Sequence, residues 1–88
     1  MPVYAAHYET ACMTRQHLEG LASDVQSASG ACRSRQFMVS FSGGHLVWMF
    51  EAPDRETLER WLKVLRMENY SWLARIDYEG GDGDLRPV

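Results

Sequence analysis

The histidines are the first residues of this chain whose type and spacing could do chemistry. His7 lies near the end of a short β-rich stretch, and His45 directly follows Gly43 and Gly44. If these stretches are neighbouring antiparallel strands, the end of the first meets the start of the second, and the two imidazoles lie close together. Imidazole is a common ligand of zinc, nickel and copper. The pattern therefore predicts a transition-metal site at this edge, with His7 as the first ligand and His45 as the second.

Glu9 and Cys12 are the weaker completions of this ligand set, because carboxylate and thiolate groups also bind divalent metals. The chain contains no H-x-x-x-H and no C-x-x-C spacing. Each residue also has an ordinary alternative: His45 as a solvated turn residue, His7 as a hydrogen-bonding group, Cys12 as a small loop residue. The expected cofactor is a divalent transition metal, nickel or zinc, and the alternative is none.

Glu51 and Arg75 suggest a second kind of site. Glu51 is six residues from His45, which places it about 20 Å away along a strand, too far to share a ligand. One interpretation is a salt bridge at a dimer rim, with Arg35 or Arg75 as the partner. The other is general acid–base catalysis on a small organic molecule, with His7 as the base and Arg75 holding an anionic group. No Ser-His-Asp context and no phosphate-binding glycine loop is present.

These side chains must be positioned by secondary structure, which alternation and capping signals predict. Strands are expected over residues 3–9, 33–41, 45–51 and 72–79. One amphipathic helix is expected between an N-cap at Thr14 and Gly30, and a second after an N-cap at Asp54. The resulting β-α-β-β-α-β order is that of the ferredoxin-like α+β fold. Right-handed crossovers give an antiparallel sheet in the order 4-1-3-2, with both helices on one face.

The other side of the sheet, which we call the open face, is expected to be unusually apolar. The strand residues that face the helices are predicted to include Phe37, Trp48 and Trp72. His7 is expected to point away from the helices. The open face is then predicted to carry Gln36, Met38, Val47, Met49, Glu51, Leu73 and Arg75. An exposed apolar face of this kind marks a partner or a ligand. Two copies stacked face to face would form a dimeric α+β barrel, so a homodimer is expected.

Length and charge limit the function classes. The 88 residues fit one domain, expected over residues 1–79, with a flexible C-terminal tail over 80–88. A formal net charge of −3 without a basic cluster argues against nucleic-acid binding. No apolar run reaches the roughly 20 residues that span a membrane, and no signal-peptide pattern opens the chain. A cytoplasmic location is expected, with the two cysteines reduced.

The stretch VWMFEAPDRETLERWLKVLRM carries a family resemblance. An apolar strand, the junction Glu51–Asp54 and an amphipathic helix follow one another as in the small ferredoxin-like family of the actinobacterial nickel-binding protein type. This resemblance implies a dimeric α+β barrel and metal binding at strand-end histidines, and it supports His7. Trp48 stands where many members have cysteine, and Tyr8 and Glu9 replace an arginine-rich continuation.

The sequence therefore favours a small homodimer that binds a transition-metal ion, of the nickel kind, or a small ligand on the open face. The first alternative is a dimeric α+β barrel enzyme, an isomerase or a cofactor-free monooxygenase, that uses His7 and Arg75. The second alternative is a non-catalytic interaction module whose open face is only a subunit interface.

Overall fold

Four of the strands build one antiparallel sheet, and two helices pack on it. The computed structural model describes residues 1–88. Its elements are β1 (Val3–Glu9), α1 (Arg15–Ser27), β2 (Arg33–Ser40), β3 (His45–Glu51), α2 (Arg55–Val64), β4 (Trp72–Ile76), β5 (Tyr78–Glu79) and β6 (Arg86–Pro87). The large sheet has the order β2-β3-β1-β4, and β5 pairs with β6 in a separate ribbon. The predicted sheet order is confirmed, and the α+β architecture is consistent with a ferredoxin-like fold.

Both helices begin at the predicted capping residues. The side chain of Thr14 accepts a hydrogen bond from the backbone N–H of His17, at 3.1 Å. The carboxylate of Asp54 accepts one from the backbone N–H of Thr57, at 2.7 Å, and this bond lowers the pKa of Asp54. Each cap satisfies an N–H group that the first helical turn leaves unpaired.

The core lies between the helices and one face of the sheet. Its strand residues alternate along each strand, as a half-buried sheet requires: Tyr4, Ala6, Tyr8, Leu46, Trp48, Phe50 and Leu73. Against them pack Leu18 and Val25 of α1 and Leu58 and Leu62 of α2. Because both helices contribute to one cluster with one strand face, the opposite side of the sheet carries no helix. His7 lies on that side, as predicted.

Polar atoms that enter this core find partners. The hydroxyl of Tyr8 donates to the carbonyl oxygen of Met67 at 2.8 Å, and the indole N–H of Trp48 donates to the hydroxyl of Ser34 at 2.8 Å. Burial raises the pKa of Tyr8, so the phenol remains a donor. These bonds remove the cost of burying the two polar groups.

The predicted facing of β4 is wrong. Leu73 is only 6% exposed and belongs to the core, whereas Trp72 is 46% exposed. In the register, Ala6 lies opposite both Trp48 and Leu73, so these three residues share the helix side. Arg75 lies opposite Tyr4 on the same side. Leu73 and Arg75 are therefore not part of the open face. The pairing of β4 with β1 decides which side each residue faces, and it outweighs the more apolar alternation of Trp72, Ala74 and Ile76.

The clean alternation predicted for β2 is interrupted. A register shift between Ser34 and Gln36 leaves Arg35 as an extra residue, the pattern of a β-bulge. Arg33 consequently lies opposite Glu51 on the open face rather than on the side of Phe37. Phe41, expected as the last residue of this strand, lies in the turn that follows Ser40.

Neither helix is long and apolar enough to cross a lipid bilayer.

Candidate functional site

The residues of the open face form successive rows across the sheet, which the strand register defines. One row contains Met38, Val47, His7 and Trp72; the next contains Gln36, Met49, Ala5 and Ala74; the third contains Arg33, Glu51, Val3 and Ile76. The first row lies near the end of β1, where His45 opens β3. The candidate site is at this end.

His7 and His45 are in direct contact there. Nε2 of His7 lies 2.9 Å from Nδ1 of His45, and the ring centroids are 5.1 Å apart at an interplanar angle of 44°. The register explains the contact, because His45 lies opposite Glu9 and is therefore a diagonal neighbour of His7. The predicted proximity of the two imidazoles is confirmed.

Trp72 fixes the ring of His7 from the other side. The two rings stack at a centroid distance of 5.6 Å with an interplanar angle of 11°. Trp72 occupies this place because it lies opposite His7 in the pairing of β1 with β4. The sequence contained a signal for this contact: the first residue of β4 must meet the end of an antiparallel β1. The expectation that Trp72 faces the helices concealed it.

The second nitrogen of His7, Nδ1, is buried and has no hydrogen-bond partner within the protein. Either tautomer leaves this atom unsatisfied. If Nε2 donates to His45, Nδ1 is a lone pair without a donor; if Nε2 accepts, Nδ1 carries a proton without an acceptor. Few buried polar atoms in folded proteins are unpaired, and those at functional sites are held by the surrounding structure.

The contact between the histidines has the spacing of two neighbouring metal ligands. Nitrogen ligands lie about 2.0–2.1 Å from a first-row metal, so two of them at a right angle are about 2.9 Å apart. The observed separation of the two nitrogens is 2.9 Å. The separation of the two nitrogens therefore equals that of two adjacent ligands of a square-planar or octahedral ion, and the hydrogen bond that joins them must give way before both lone pairs can point at a metal.

The expected completions of this ligand set are not grouped with it. No cluster of three or more His, Cys, Asp or Glu side chains that could hold a metal ion is present. Glu9 is exposed, and Cys12 is exposed in the connection to α1, where its φ of 67° turns the chain. The structure brings His7 and His45 into contact and places Glu9 opposite His45 in the strand register, but the side chains of Glu9 and Cys12 do not form a metal-binding cluster with the pair.

Glu51 belongs to a separate ion pair at the far end of the open face. Its carboxylate accepts hydrogen bonds from Nε and Nη2 of Arg33, at 3.0 and 2.8 Å. These bonds and the charge of Arg33 hold the pKa of Glu51 below its usual value. The partner within the chain is thus Arg33, where Arg35 or Arg75 was expected.

The acid–base arrangement proposed for His7 and Arg75 is not assembled. The two residues lie on opposite sides of the sheet, because Arg75 shares the helix side with Tyr4. The arginine expected to hold an anionic group next to His7 is therefore separated from it by the sheet. No other arginine occupies the row of His7.

The largest concavity of the molecule lies away from the histidines. It has a volume of about 500 Å³ and runs between α1 and β2, lined by Leu18, Ala22, Phe37, Val39 and Phe41 with Arg15 and Glu19 at its rim. Arg15 and Glu19 are already paired with each other, at 2.8 Å. The groove offers no unpaired polar side chain that would orient a ligand, so the histidine pair is the stronger candidate site.

Comparison of the chain with protein-family models, with curated proteins and with solved structures gave no match. The resemblance to the nickel-binding ferredoxin-like family remains a prediction from the sequence.

Proposed function

We propose that this protein binds a divalent transition-metal ion, nickel or zinc, or a small ligand in its place, through His7 and His45, and that it does so as a homodimer. The observation that carries the proposal is the 2.9 Å separation of Nε2 of His7 and Nδ1 of His45. Two adjacent nitrogen ligands of such an ion have this separation, and a rotation of the rings out of the present hydrogen bond would direct both lone pairs at one ion.

The surroundings of His7 support a ligand role. Stacking on Trp72 restricts the rotation of the imidazole, so less conformational entropy is lost when Nε2 binds a ligand. His45 is exposed, which gives an incoming ion a route from solvent. The remaining coordination positions would be filled by groups outside this pair, such as water.

The dimer is proposed from the apolar surface around the histidines. Met38 is 58% exposed, Trp72 is 46% exposed, and Val47 lies between His7 and Met38 in the same row. Large apolar side chains grouped on one face are typical of an interface. A second copy of the chain would cover them by symmetric stacking of the two open faces.

Calorimetric titration tests the metal proposal. Untagged protein, freed of metal with a chelator, is titrated with nickel and with zinc. We expect saturable binding by the wild type and at least about tenfold weaker binding after His7→Ala or His45→Ala, since each removes one of two protein ligands. His17→Ala is the matched control, because His17 is exposed on α1 and lies outside the pair.

Binding should also weaken as the pH falls, because an imidazole binds metal only in its neutral form. Equal affinities for the wild type, His7→Ala and His45→Ala would contradict the proposal. Equal loss after His17→Ala would also contradict it, since it would indicate unspecific association with surface histidines. If the wild type binds no metal but dimerises through the open face, the metal proposal is wrong and the non-catalytic interaction module is the better description of the function.

A further inference from the structure

Two buried apolar residues lie outside the core. Val3 and Ala5 are 1% and 4% exposed, yet neither belongs to the cluster between the helices and the sheet. Their neighbours Tyr4 and Ala6 face the helices, so Val3 and Ala5 lie on the open face. No helix covers this face, so the groups that can exclude solvent from Val3 are its row neighbours, the Arg33–Glu51 pair and Ile76, and the C-terminal segment.

The C-terminal segment crosses that end of the sheet. β4 ends at Ile76 on one edge, and Glu79, three residues later, reaches Arg35 of β2 on the opposite edge. Three strand spacings, about 14 Å, separate β4 from β2. A nitrogen of Arg35 donates to both carboxylate oxygens of Glu79 at 3.0 Å. The segment after Ile76 therefore joins the two edges at the end of the sheet where the row of Val3 lies.

The β-bulge of β2 places Arg35 for this contact. The extra residue interrupts the alternation between Ser34, on the helix side, and Gln36, on the open face. Arg35 also contributes its charge to the lowered pKa of Glu51, which places the guanidinium near the open face. A bulge commonly redirects a side chain in this way.

The segment has structure of its own. Tyr78 and Glu79 pair with Pro87 and Arg86, and the backbone N–H of Val88 donates to the carbonyl oxygen of Asp77 at 3.2 Å. The turn between the two short strands needs glycine at position 80, since a Cβ there would collide with the carbonyl oxygen of Asp84. The segment therefore forms a small ribbon of its own, separate from the large sheet.

Its attachment to the sheet is weak. The large apolar side chains of the segment, Tyr78 and Leu85, are mostly exposed and do not anchor it. The pair of Arg35 and Glu79 is partly exposed, with 32% and 44% of the side-chain surfaces accessible. Exposed ion pairs contribute little to stability and are screened by salt. A unit with so few buried contacts belongs to the part of a protein that opens most easily.

We propose that residues 77–88 form a removable strap: when closed, it covers the Val3–Ala5 end of the open face, and when released, it exposes this apolar row. The strap is held by the pair of Arg35 and Glu79. Release of the strap would enlarge the open face that is available to a ligand or partner, and this consequence rests on the function proposed above. The strap itself does not depend on that function.

Thiol labelling at two adjacent positions tests the strap. Ala5→Cys and Ala6→Cys are each introduced in a Cys12→Ser background, which removes the exposed thiol and retains the buried Cys32. The chelator is kept in all samples, so the result is independent of metal binding. Both alanines are buried, and the proposal places only Ala5, on the open face, under the strap. Adding Glu79→Gln is expected to raise the labelling rate of the Ala5→Cys protein about fivefold, the population change that loss of an exposed ion pair allows.

The Ala6→Cys protein should label at an unchanged rate, and Glu56→Gln, which breaks an exposed ion pair on α2, should change neither rate. A chain that ends at residue 77 should label at Ala5→Cys at least as fast as the Glu79→Gln protein. Equal acceleration at both positions would overturn the proposal, because it would indicate general unfolding. An unchanged rate at Ala5→Cys in the Glu79→Gln and shortened chains would also overturn it.

Discussion

His7 makes its contacts with side chains of two neighbouring strands, and their geometry restricts its protonation. The nitrogens shared with His45 are 2.9 Å apart, so they hold one proton between them. A metal that binds both nitrogens must displace this proton. The displaced proton moves to the other nitrogen of the ring that carried it, so each neutral ring then holds its single proton there, on Nδ1 of His7 and on Nε2 of His45. Metal binding and a change of tautomer are therefore coupled in this pair.

Arg33 and Glu51 give a prediction for stability against pH. The folded-state pKa of Glu51 is lowered, chiefly by its hydrogen bonds with Arg33. A lowered carboxyl pKa contributes stability that is present above the unfolded-state value and is lost as the pH falls through the folded-state value. Arg33→Gln should therefore lower the free energy of unfolding by about 0.5 kcal/mol at neutral pH, as for a partly exposed pair. The difference from the wild type should disappear in acid, below the range in which Glu51 titrates.

Urea unfolding at several pH values measures this effect. Arg15→Gln is the control, since its partner Glu19 is more exposed than Glu51 and the change should be smaller. A stability difference for Arg33→Gln that grows toward low pH would contradict the assignment.

Among the secondary-structure elements, β4 is the strand whose observed facing differs from the one expected from the sequence. Leu73 packs in the core and Trp72 stacks on His7 outside it. Leu73→Ala should therefore destabilise the fold by about 2–4 kcal/mol, as for a buried leucine. Trp72→Ala should cost less, because nearly half of the indole surface is already exposed.

Denaturant unfolding of the two variants compares these costs directly. The register would be contradicted if Trp72→Ala were the more destabilising of the two. Trp72→Ala should also weaken metal binding by releasing the ring of His7, whereas Leu73→Ala should leave binding near the wild-type value in the folded protein.

Much of the element level could be predicted, because local signals determine it. Thr14 and Asp54 are capping residues by chemistry, and the alternation of β3 puts Leu46, Trp48 and Phe50 on one side without ambiguity. The order of the strands followed from connection rules, and with it the meeting of His7 and His45.

The parts that could not be predicted depend on pairing between distant segments. In Trp72–Ile76 both alternating sets contain apolar residues, so the sequence did not determine which set faces the helices; the pairing with β1 did. Arg35, the bulge residue, and Glu79, its ion-pair partner, are 44 residues apart in the chain, so no local sequence pattern predicts their contact.

The open face determines how the whole molecule could assemble. The helices cover one side of the sheet, and the C-terminal segment crosses one end of the other. What stays exposed is the apolar row that contains Met38 and Trp72, next to the histidine pair. A dimer through this row would bring the histidine pairs of two copies toward the same interface.

Sedimentation velocity tests this assembly. We expect the wild type to sediment as a dimer at high protein concentration, and Met38→Lys to shift it toward monomer, because a buried lysine at the interface would lose its hydration. Val64→Lys is the matched control, since Val64 is 83% exposed on α2, on the covered side of the sheet. Dimers of equal strength in all three proteins, or a wild type that is monomeric throughout, would contradict the open-face dimer.

The central claim, that His7 and His45 act together as one ligand-binding pair, is tested most directly by nitrogen NMR of the imidazole rings. The chain has three histidines, so three rings are resolved and assigned with the single His→Ala variants. On addition of zinc, the resonances of Nε2 of His7 and Nδ1 of His45 are expected to shift together, with the same saturation, while those of His17 stay in place. Movement of His17 to the same extent, or of only one member of the pair, would contradict this claim.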